Sequence, residues 1–356
     1  MKKMFMAATA VLLIMCAGEP AALGARKPEK VSSREYTYNV KGFSGIRTEL
    51  DNSWSGRRCC NWPDITINVT KGDRYKVSVD ISDPEYRDIV DVEKSGNCLL
   101  VRSRGLQARG RRYDSPKVVV NVQTPELEYL DLSGTAKVNV SGQFSSDAFD
   151  AVVSGAAQLR GLDVKVRYAT LGMSGASSLD DVNISASEKC KMNVSGAGEI
   201  CGIDVKSEYI EIYASGASKI RSADFRSDRF DMDASGAASI SGYTLLGEVS
   251  MGLSGAAAFR CTGCMSVADV RLAGAADLEF SMDACGRQLD LECSGGSSAN
   301  LESAPFRDVN VSAYGASRAS VRATVTLRTD IARSASLDYY GHPENVFHQA
   351  DNIRSH

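Results

Sequence analysis

The feature that most constrains the fold of this 356-residue chain is a repeat of about twenty residues. A Ser-Gly pair, replaced once by Ala-Gly and once by Tyr-Gly, recurs at intervals of 19 to 21 residues. The ten glycines of these pairs are Gly134, Gly155, Gly175, Gly196, Gly216, Gly236, Gly255, Gly274, Gly295 and Gly315. A short fixed period is typical of solenoids, in which each repeat contacts only its neighbours.

The residues around each pair alternate between apolar and polar types. In the copy at Ser215, for example, Ile212 and Ala214 precede the serine and Ile220 stands five residues after it. The same positions are apolar in the other copies, and polar or small residues lie between them. A period of two predicts β-strands with one buried face.

A glycine in every copy predicts a sharp bend, with a positive φ or a close approach of backbones that a Cβ would obstruct. The residue after the glycine is usually alanine, which we expect to let the corner pack tightly. Twenty residues are too few for a βαβ unit, and no segment has a 3.6-residue period. We therefore predict an all-β fold, a right-handed parallel β-solenoid of about ten coils. A β-propeller, with about forty residues per blade, fits the single-copy period less well.

The segments outside the repeat divide the rest of the chain. Residues 36–125 contain strand-like stretches without the short period, such as Ile46 to Leu50 and Val118 to Val122. We predict that they form a less regular β cap on the solenoid, and a separate sandwich-like domain is the alternative. The repeats occupy residues 126–341, and residues 342–356 are interpreted as a polar tail.

The first 25 residues are predicted to be an export signal, because Lys2 and Lys3 precede an apolar run that is too short to span a bilayer. We expect no transmembrane span in the mature chain. The segment Leu13 to Cys16 resembles a lipoprotein box, although Met15 stands where a small residue is usual. The predicted location is therefore the periplasm, the outer membrane or the cell surface, with lipid anchoring left open.

The charge balance and the positions of the histidines limit the partners and the catalytic groups that we expect. With 41 basic and 44 acidic residues, the chain gives no reason to expect a nucleic-acid partner. All three histidines, His342, His348 and His356, lie in the last fifteen residues, so the repeats contain no histidine base or metal ligand. We expect no cofactor, no metal site and no catalytic residue.

One loop has an unusual composition, since Trp54, Arg57, Arg58 and Trp62 surround a vicinal cysteine pair. Aromatic faces beside arginines suit a sugar or protein contact, and burial of the tryptophans in the cap is the alternative.

The cysteines offer one candidate disulfide. Cys264 and Cys285 are 21 residues apart, about one coil, so they are candidates to bridge neighbouring corners. Cys190, Cys201 and Cys293 fall on or near inward positions and are expected in the core.

The repeated Ser-Gly-Ala coils and three further motifs together resemble the head GIN domain family, whose label is "putative autotransporter adhesin". The three motifs are the opening Val40-Lys41-Gly42-Phe43-Ser44-Gly45-Ile46, the entry from Thr124 to Gly134, and the ending Leu337-Asp338-Tyr339-Tyr340-Gly341-His342-Pro343. The likeness extends over residues 36 to 350. It implies an exported, β-helical protein of a type common in Bacteroidetes, and it supplies no catalytic residues.

The expected function is that of a cell-envelope or surface binding and structural module, in the manner of an adhesin that presents repeated polar faces to glycan or protein ligands. A carbohydrate-active β-helix enzyme is the alternative, and it requires a carboxylate-lined groove on the folded surface. A second alternative is a scaffold that self-associates end to end through its terminal coils.

Overall fold

The computed structural model describes residues 29–30, 35–50, 64–103, 117–284, 286–347 and 352–356. Within these ranges the chain forms strands, one 3-10 helix at Pro84–Ile89 and no α-helix. The strands before the regular repeats are β1 (Glu29–Lys30), β2 (Glu35–Tyr38), β3 (Gly45–Leu50), β4 (Asp64–Lys71), β5 (Lys76–Ile81), β6 (Val90–Ser95), β7 (Cys98–Ser103) and β8 (Lys117–Thr124).

The repeats begin with short strands and continue with strands that extend through most of a coil. The short ones are β9 (Tyr129–Leu132), β10 (Lys137–Ser141), β11 (Gln143–Ser145), β12 (Ala148–Val153) and β13 (Gln158–Arg160). The others are β14 (Asp163–Met173), β15 (Ser178–Val194), β16 (Glu199–Ala214), β17 (Lys219–Ala234), β18 (Ser239–Leu253), β19 (Ala258–Leu272), β20 (Asp277–Ser281), β21 (Gly286–Cys293), β22 (Ser298–Ala313), β23 (Arg318–Ile331), β24 (Ser336–Tyr340), β25 (Asn345–Phe347) and β26 (Ile353–Ser355).

Neighbouring coils pair in parallel and in register. Ile200 pairs with Ile220, and Ile220 pairs with Ile240, so identical positions of successive coils stack along the axis. Ile220 is 1% exposed, and the residues at this position are buried in all ten copies. The stacked inward side chains form one hydrophobic core that extends from the N-terminal strands to Leu337. This arrangement of about eleven turns confirms the predicted all-β solenoid.

The ten corner glycines form a ladder, as the repeat predicted. Each has a φ between 70° and 76°. In the middle coils, a Cβ on one glycine would also approach the carbonyl oxygen of the glycine one coil earlier, to 2.5 Å at Gly216 and 2.7 Å at Gly236. That carbonyl accepts a hydrogen bond from the next coil, for example from the Ala217 N–H to the Gly196 oxygen at 2.7 Å. The corner therefore excludes a side chain for two reasons, the backbone conformation and the contact between coils.

The alanine after each glycine does not lie in the packed corner, contrary to our expectation. Ala217 is exposed, and the buried small residue is the next one, Ser218, which is 1% exposed. The same shift recurs at Ala237 and Ala238. The glycine and the residue after it both lie on the outside of the bend. The alternation of inward and outward side chains therefore resumes one residue later than we expected.

A second bend, which the sequence did not reveal, lies seven residues after the serine position. Gly161, Asp181, Gly202 and Ser222 occupy it in four successive coils, all with positive φ. In these four coils a second bend therefore follows the Ser-Gly corner. Because glycine alternates here with aspartate and serine, the composition shows no regular motif at this corner.

The N-terminal strands are hydrogen-bonded to the solenoid in an order that differs from their order in the chain. Strand β3 pairs in parallel with both β7 and β9, and β4 pairs with both β8 and β10. The first coil, β3 and β4, therefore lies between the β7–β8 coil and the repeats. Strands β6 and β5 then pair antiparallel with β7 and β8 at the outer edge.

The segment 342–356, interpreted from composition as a polar tail, contains two strands. Strand β25 pairs with β23, and β26 pairs with β24, both in parallel. His356 stacks on Tyr340, with ring centroids 5.0 Å apart. Val346 and Ile353 pack against the core, and this explains why the segment is attached.

Candidate binding face

The loop residues proposed as a ligand contact, Trp54, Arg57, Arg58 and Trp62, lie outside the described residues, as does Cys285 of the candidate disulfide. The candidate contact and the Cys264–Cys285 pair therefore stay predictions. The signal segment, including Cys16, lies outside them as well.

Among the cysteines expected in the core, Cys190 and Cys293 are buried, and desolvation raises the pKa of each thiol to about 12. Cys201 is exposed, so its placement was wrong. It follows the inward Ile200 directly and therefore points outward in an alternating strand.

The most distinctive outward side chains lie on the strand segment that precedes the Ser-Gly corner. Three outward positions of each coil stack there in columns, and each column extends along the solenoid axis. The first column includes Tyr168, Lys189, Tyr209, Arg229 and Glu248, as the strand register shows. The second includes Lys191, Glu211, Asp231, Ser250 and Asp269, and the third includes Asn193, Tyr213, Asp233, Gly252 and Arg271.

Tyr209 lies between two cations from neighbouring coils. The Lys189 Nζ is 4.5 Å from the centre of its ring, and the Arg229 guanidinium carbon is 4.9 Å from it. The Tyr209 hydroxyl donates to the Asp231 carboxylate at 2.6 Å. Burial and this hydrogen bond raise the pKa of Tyr209 well above its usual value. The Tyr209 side chain thus stays neutral, and its ring separates the charges of Lys189 and Arg229 along the solenoid axis.

Glu211 connects the remaining members of this group. Its Oε2 is 2.6 Å from the Lys189 Nζ and 3.6 Å from the Lys191 Nζ, and its Oε1 accepts from the Tyr213 hydroxyl at 2.6 Å. Burial opposes ionisation of Glu211, but the bonds from Lys189 and Tyr213 and the two lysine charges outweigh it and lower its pKa. The hydrogen bond to Glu211, with partial burial, raises the pKa of Tyr213 to about 12.

We call the seven residues linked by these contacts the tyrosine cluster. They are Lys189, Lys191, Tyr209, Glu211, Tyr213, Arg229 and Asp231. Their contacts cross three coils, so the cluster holds its side chains in fixed positions while Tyr213 remains 40% exposed.

The strand register implies a shallow groove directly beside the tyrosine cluster, because short side chains lie between longer ones there. Its floor is the outward side of strand β18, where Ser250 and Gly252 are the smallest side chains of their columns in this region. Asp231 and Asp233 border it on one side, and Asp269 and Arg271 on the other. The two bordering coils are about 10 Å apart, which is twice the spacing of hydrogen-bonded strands. The groove is therefore about as wide as one six-membered ring of a ligand.

Asp233 differs from the other charged residues that border the groove. Asp231 is paired with Arg229 at 3.1 Å, and Asp269 with Arg271 at 2.7 Å. Within the described ranges, Asp233 has neither an ion pair nor a hydrogen bond. Partial desolvation, followed by the charges of Asp231 and Glu211, raises its pKa. Its Oδ1 would be 2.6 Å from a Cβ placed on Gly252, so the absence of that Cβ leaves room for the carboxylate.

The arrangement can bind a hydroxyl-rich ligand. The free carboxylate of Asp233 accepts hydrogen bonds, and the exposed part of the Tyr213 ring offers an apolar surface. No motif in the sequence marks this face, although tyrosine and charged residues at outward positions in successive copies are a usable signal. The register that aligns them depends on coils of 19 to 21 residues, and that register is visible only in the fold.

In the part of the chain that the structure describes, no group of three or more histidine, cysteine or acidic side chains is placed to hold a metal ion. None of the described helices has the length and apolar character needed to cross a membrane.

The fold and this face define a class of protein, a parallel β-solenoid that presents polar columns on its sides. The model of the family described as "Putative auto-transporter adhesin, head GIN domain" matches residues 63–243 and 248–343. The chain belongs to this family, which gives it a general adhesin-like surface role. No curated protein matches the chain.

The chain is similar to solved structures of two proteins from Bacteroides and Parabacteroides species. A "putative adhesin" from Parabacteroides distasonis aligns with a TM-score of 0.56 at 16% identity and covers 69% of this chain and 95% of its own. A "putative adhesin" from Bacteroides fragilis aligns with a TM-score of 0.46 at 13% identity, over 69% of this chain and 95% of its own. At these identities, the first of the two similarities shows a shared fold and nothing about ligands.

Proposed function

We propose that this protein is an envelope or surface adhesin that binds a neutral, extended glycan across the groove beside the tyrosine cluster. The observation that carries the proposal is Asp233, an unpaired carboxylate next to the exposed Tyr213 and over the bare backbone of Gly252. Sugar hydroxyls donate to carboxylates, and the apolar face of a sugar ring packs on aromatic side chains.

The charges around the groove favour a neutral ligand. Arg229 offsets Asp231, and Arg271 offsets Asp269, so the carboxylate of Asp233 is left in excess. An acidic polysaccharide would place further negative charge beside it, and like charges at such distances repel.

The test is a glycan array that contains neutral and acidic bacterial and mucosal polysaccharides, probed with the purified protein and two glycine variants. Gly252→Val fills the groove floor and displaces the Asp233 carboxylate, whose Oδ1 lies 2.6 Å from the position of the added Cβ. Because the φ of Gly252 is not positive, the backbone itself accepts a side chain. Gly172→Val is the matched control, since Gly172 occupies the same column and its added Cβ would meet nothing closer than 3.8 Å.

We expect the unchanged protein and Gly172→Val to bind the same neutral glycans, and Gly252→Val to lose that binding at an unchanged thermal midpoint. Equal binding by Gly252→Val and Gly172→Val, or a preference for acidic glycans, would contradict the proposal.

A carbohydrate-active enzyme is the second candidate, because carboxylates border the groove and such an enzyme requires them there. Asp233, with its raised pKa, suits a general acid, and Asp231, held by Tyr209 and Arg229, suits a base. Chromatography of each bound polysaccharide after prolonged incubation separates the two functions. Shortened chains that disappear with Asp233→Asn would identify an enzyme, and unchanged chain length supports binding alone.

A further inference from the structure

A cavity of about 300 Å³ opens on the strand segment that follows the Ser-Gly corner, on a different side of the coil from the groove. It lies where β19, β20 and β22 are neighbours, and the side chains of Arg260, Thr262, Glu279, Ser281, Asn300 and Ser303 line it. From β18 through β19 to β20 the outward residues on this side stack in register. A specific irregularity therefore produces the cavity.

The irregularity is a bulge in β22. Leu301 pairs with Val321 and Pro305 pairs with Arg322, so the three residues between them have no partners in the next coil. The extra residues raise Ser303 and form one wall of the cavity. Bulges of this kind alter the direction of a side chain and are frequent next to functional sites.

Hydrogen bonds from both neighbouring coils hold the bulge in place. The Met282 N–H donates to the Ser303 carbonyl at 3.0 Å, and the Arg322 Nε donates to the Glu302 carbonyl at 2.7 Å. On the opposite wall, the Arg260 guanidinium is ion-paired with Asp277 and lies 3.8 Å from Glu279. Both walls are thus fixed before any ligand arrives, which lowers the entropic cost of binding.

We propose that this cavity is a binding site for a single neutral sugar residue. The lining offers three hydroxyls, an amide and a carboxylate as acceptors and donors, which matches the several hydroxyls of one monosaccharide. Arg260 is neutralised by Asp277 and Glu279, so the cavity carries no excess positive charge for a phosphate. Its volume is at the lower end of the range for ligand pockets, about 300–1,000 Å³, so it accommodates a monosaccharide and not an oligosaccharide.

The site is separate from the groove of the proposed function. The corner Ser254-Gly255-Ala256 lies between Gly252 on the groove floor and Arg260 on the cavity wall. The two sites can therefore be disabled independently, and either can fail without the other.

The test is saturation-transfer NMR with glucose, galactose, mannose and N-acetylglucosamine as neutral probes, and glucuronic acid and inorganic phosphate as charged probes. The variants are Ser281→Leu, which fills the cavity, and Asn300→Leu, which removes the amide at similar volume. Ser320→Leu is the matched control, because Ser320 pairs with Asn300 one coil further along the same column. Thermal midpoints establish that each variant is folded.

We expect saturable binding of at least one neutral sugar, weakened tenfold or more by Ser281→Leu and Asn300→Leu and unchanged by Ser320→Leu and Gly252→Val. The proposal is overturned if no neutral sugar binds, if phosphate or glucuronic acid binds more tightly than every neutral probe, or if binding survives in both cavity variants. If only Gly252→Val lost binding, the sugar would be bound in the groove and not in the cavity, and this result would also overturn the proposal.

Discussion

Gly216 lies against Gly196 of the preceding coil so closely that a Cβ on Gly216 would be 2.5 Å from the Gly196 carbonyl oxygen. The same carbonyl accepts the Ala217 N–H at 2.7 Å, so the contact cannot relax without loss of a hydrogen bond between coils. This relationship recurs from Gly155 to Gly315, and it leaves no room for a side chain at the corner of any of these coils.

The first prediction concerns this corner. Gly216→Val should lower the free energy of unfolding by about 1–3 kcal/mol, because a β-branched residue is strained at a φ of 74° and would contact the neighbouring backbone. Urea midpoints measure the effect. An added Cβ on Gly172 would meet nothing closer than 3.8 Å. Gly172→Val and Ser215→Ala should therefore each lower the free energy of unfolding only slightly. A Gly216→Val midpoint equal to that of the unchanged protein would refute the corner assignment.

The second prediction concerns the core. Ile220→Asp should destabilise the protein by more than about 3 kcal/mol, since the side chain is buried between Ile200 and Ile240 and its charge would have no partner there. The neighbouring Lys219→Ser, on the exposed side of the same strand, should change stability by less than about 0.5 kcal/mol. Thermal unfolding of both variants is the measurement, and similar midpoints would contradict the predicted direction of the side chains.

The third prediction concerns pH. Because the pKa of Glu211 is lowered in the folded state, its contribution to stability is present above its unfolded pKa of about 4.5 and is lost as the pH falls through the folded value. Glu211→Gln should therefore reduce stability at pH 7 and flatten the loss of stability at acidic pH. Urea midpoints between pH 2 and pH 7 report this, with Glu188→Gln as an exposed control. An identical pH profile for Glu211→Gln and the unchanged protein would contradict the tyrosine cluster as an electrostatic unit.

The fourth prediction concerns the C-terminal end. Removal of residues 342–356 deletes β25 and β26 and exposes the edges of β23 and β24. Unpaired strand edges associate with other strands, so the shortened protein should form concentration-dependent oligomers in sedimentation experiments. The full chain at the same concentrations is the control. Filaments formed by the full chain would support the end-to-end scaffold, and equal sedimentation of the two proteins would contradict the capping role.

Part of the tyrosine cluster could be predicted from the sequence, and part could not. The alternation around Ser215 places Tyr213 on the outward side of its strand, and a sequence reader can establish that. The contact of Lys189 with Tyr209, one coil apart, also requires the bulge between Ala186 and Lys189, where the register of β15 and β16 shifts. A shift of one residue would reverse the direction of every side chain after it, and no local pattern records the shift.

The sequence by itself determined the coil, because a glycine that must adopt a positive φ and an alternating strand pattern are local requirements that recur in each copy. Only the tertiary structure decided which side chains lie next to one another on the surface of the coils. It placed β3 between β7 and β9, turned Ala217 outward and Ser218 inward, and aligned Asp233 beside Gly252. The pairing of β3 and the alignment of Asp233 with Gly252 join residues 19 or more positions apart. They depend on the register between coils, which the packing of all the coils fixes together.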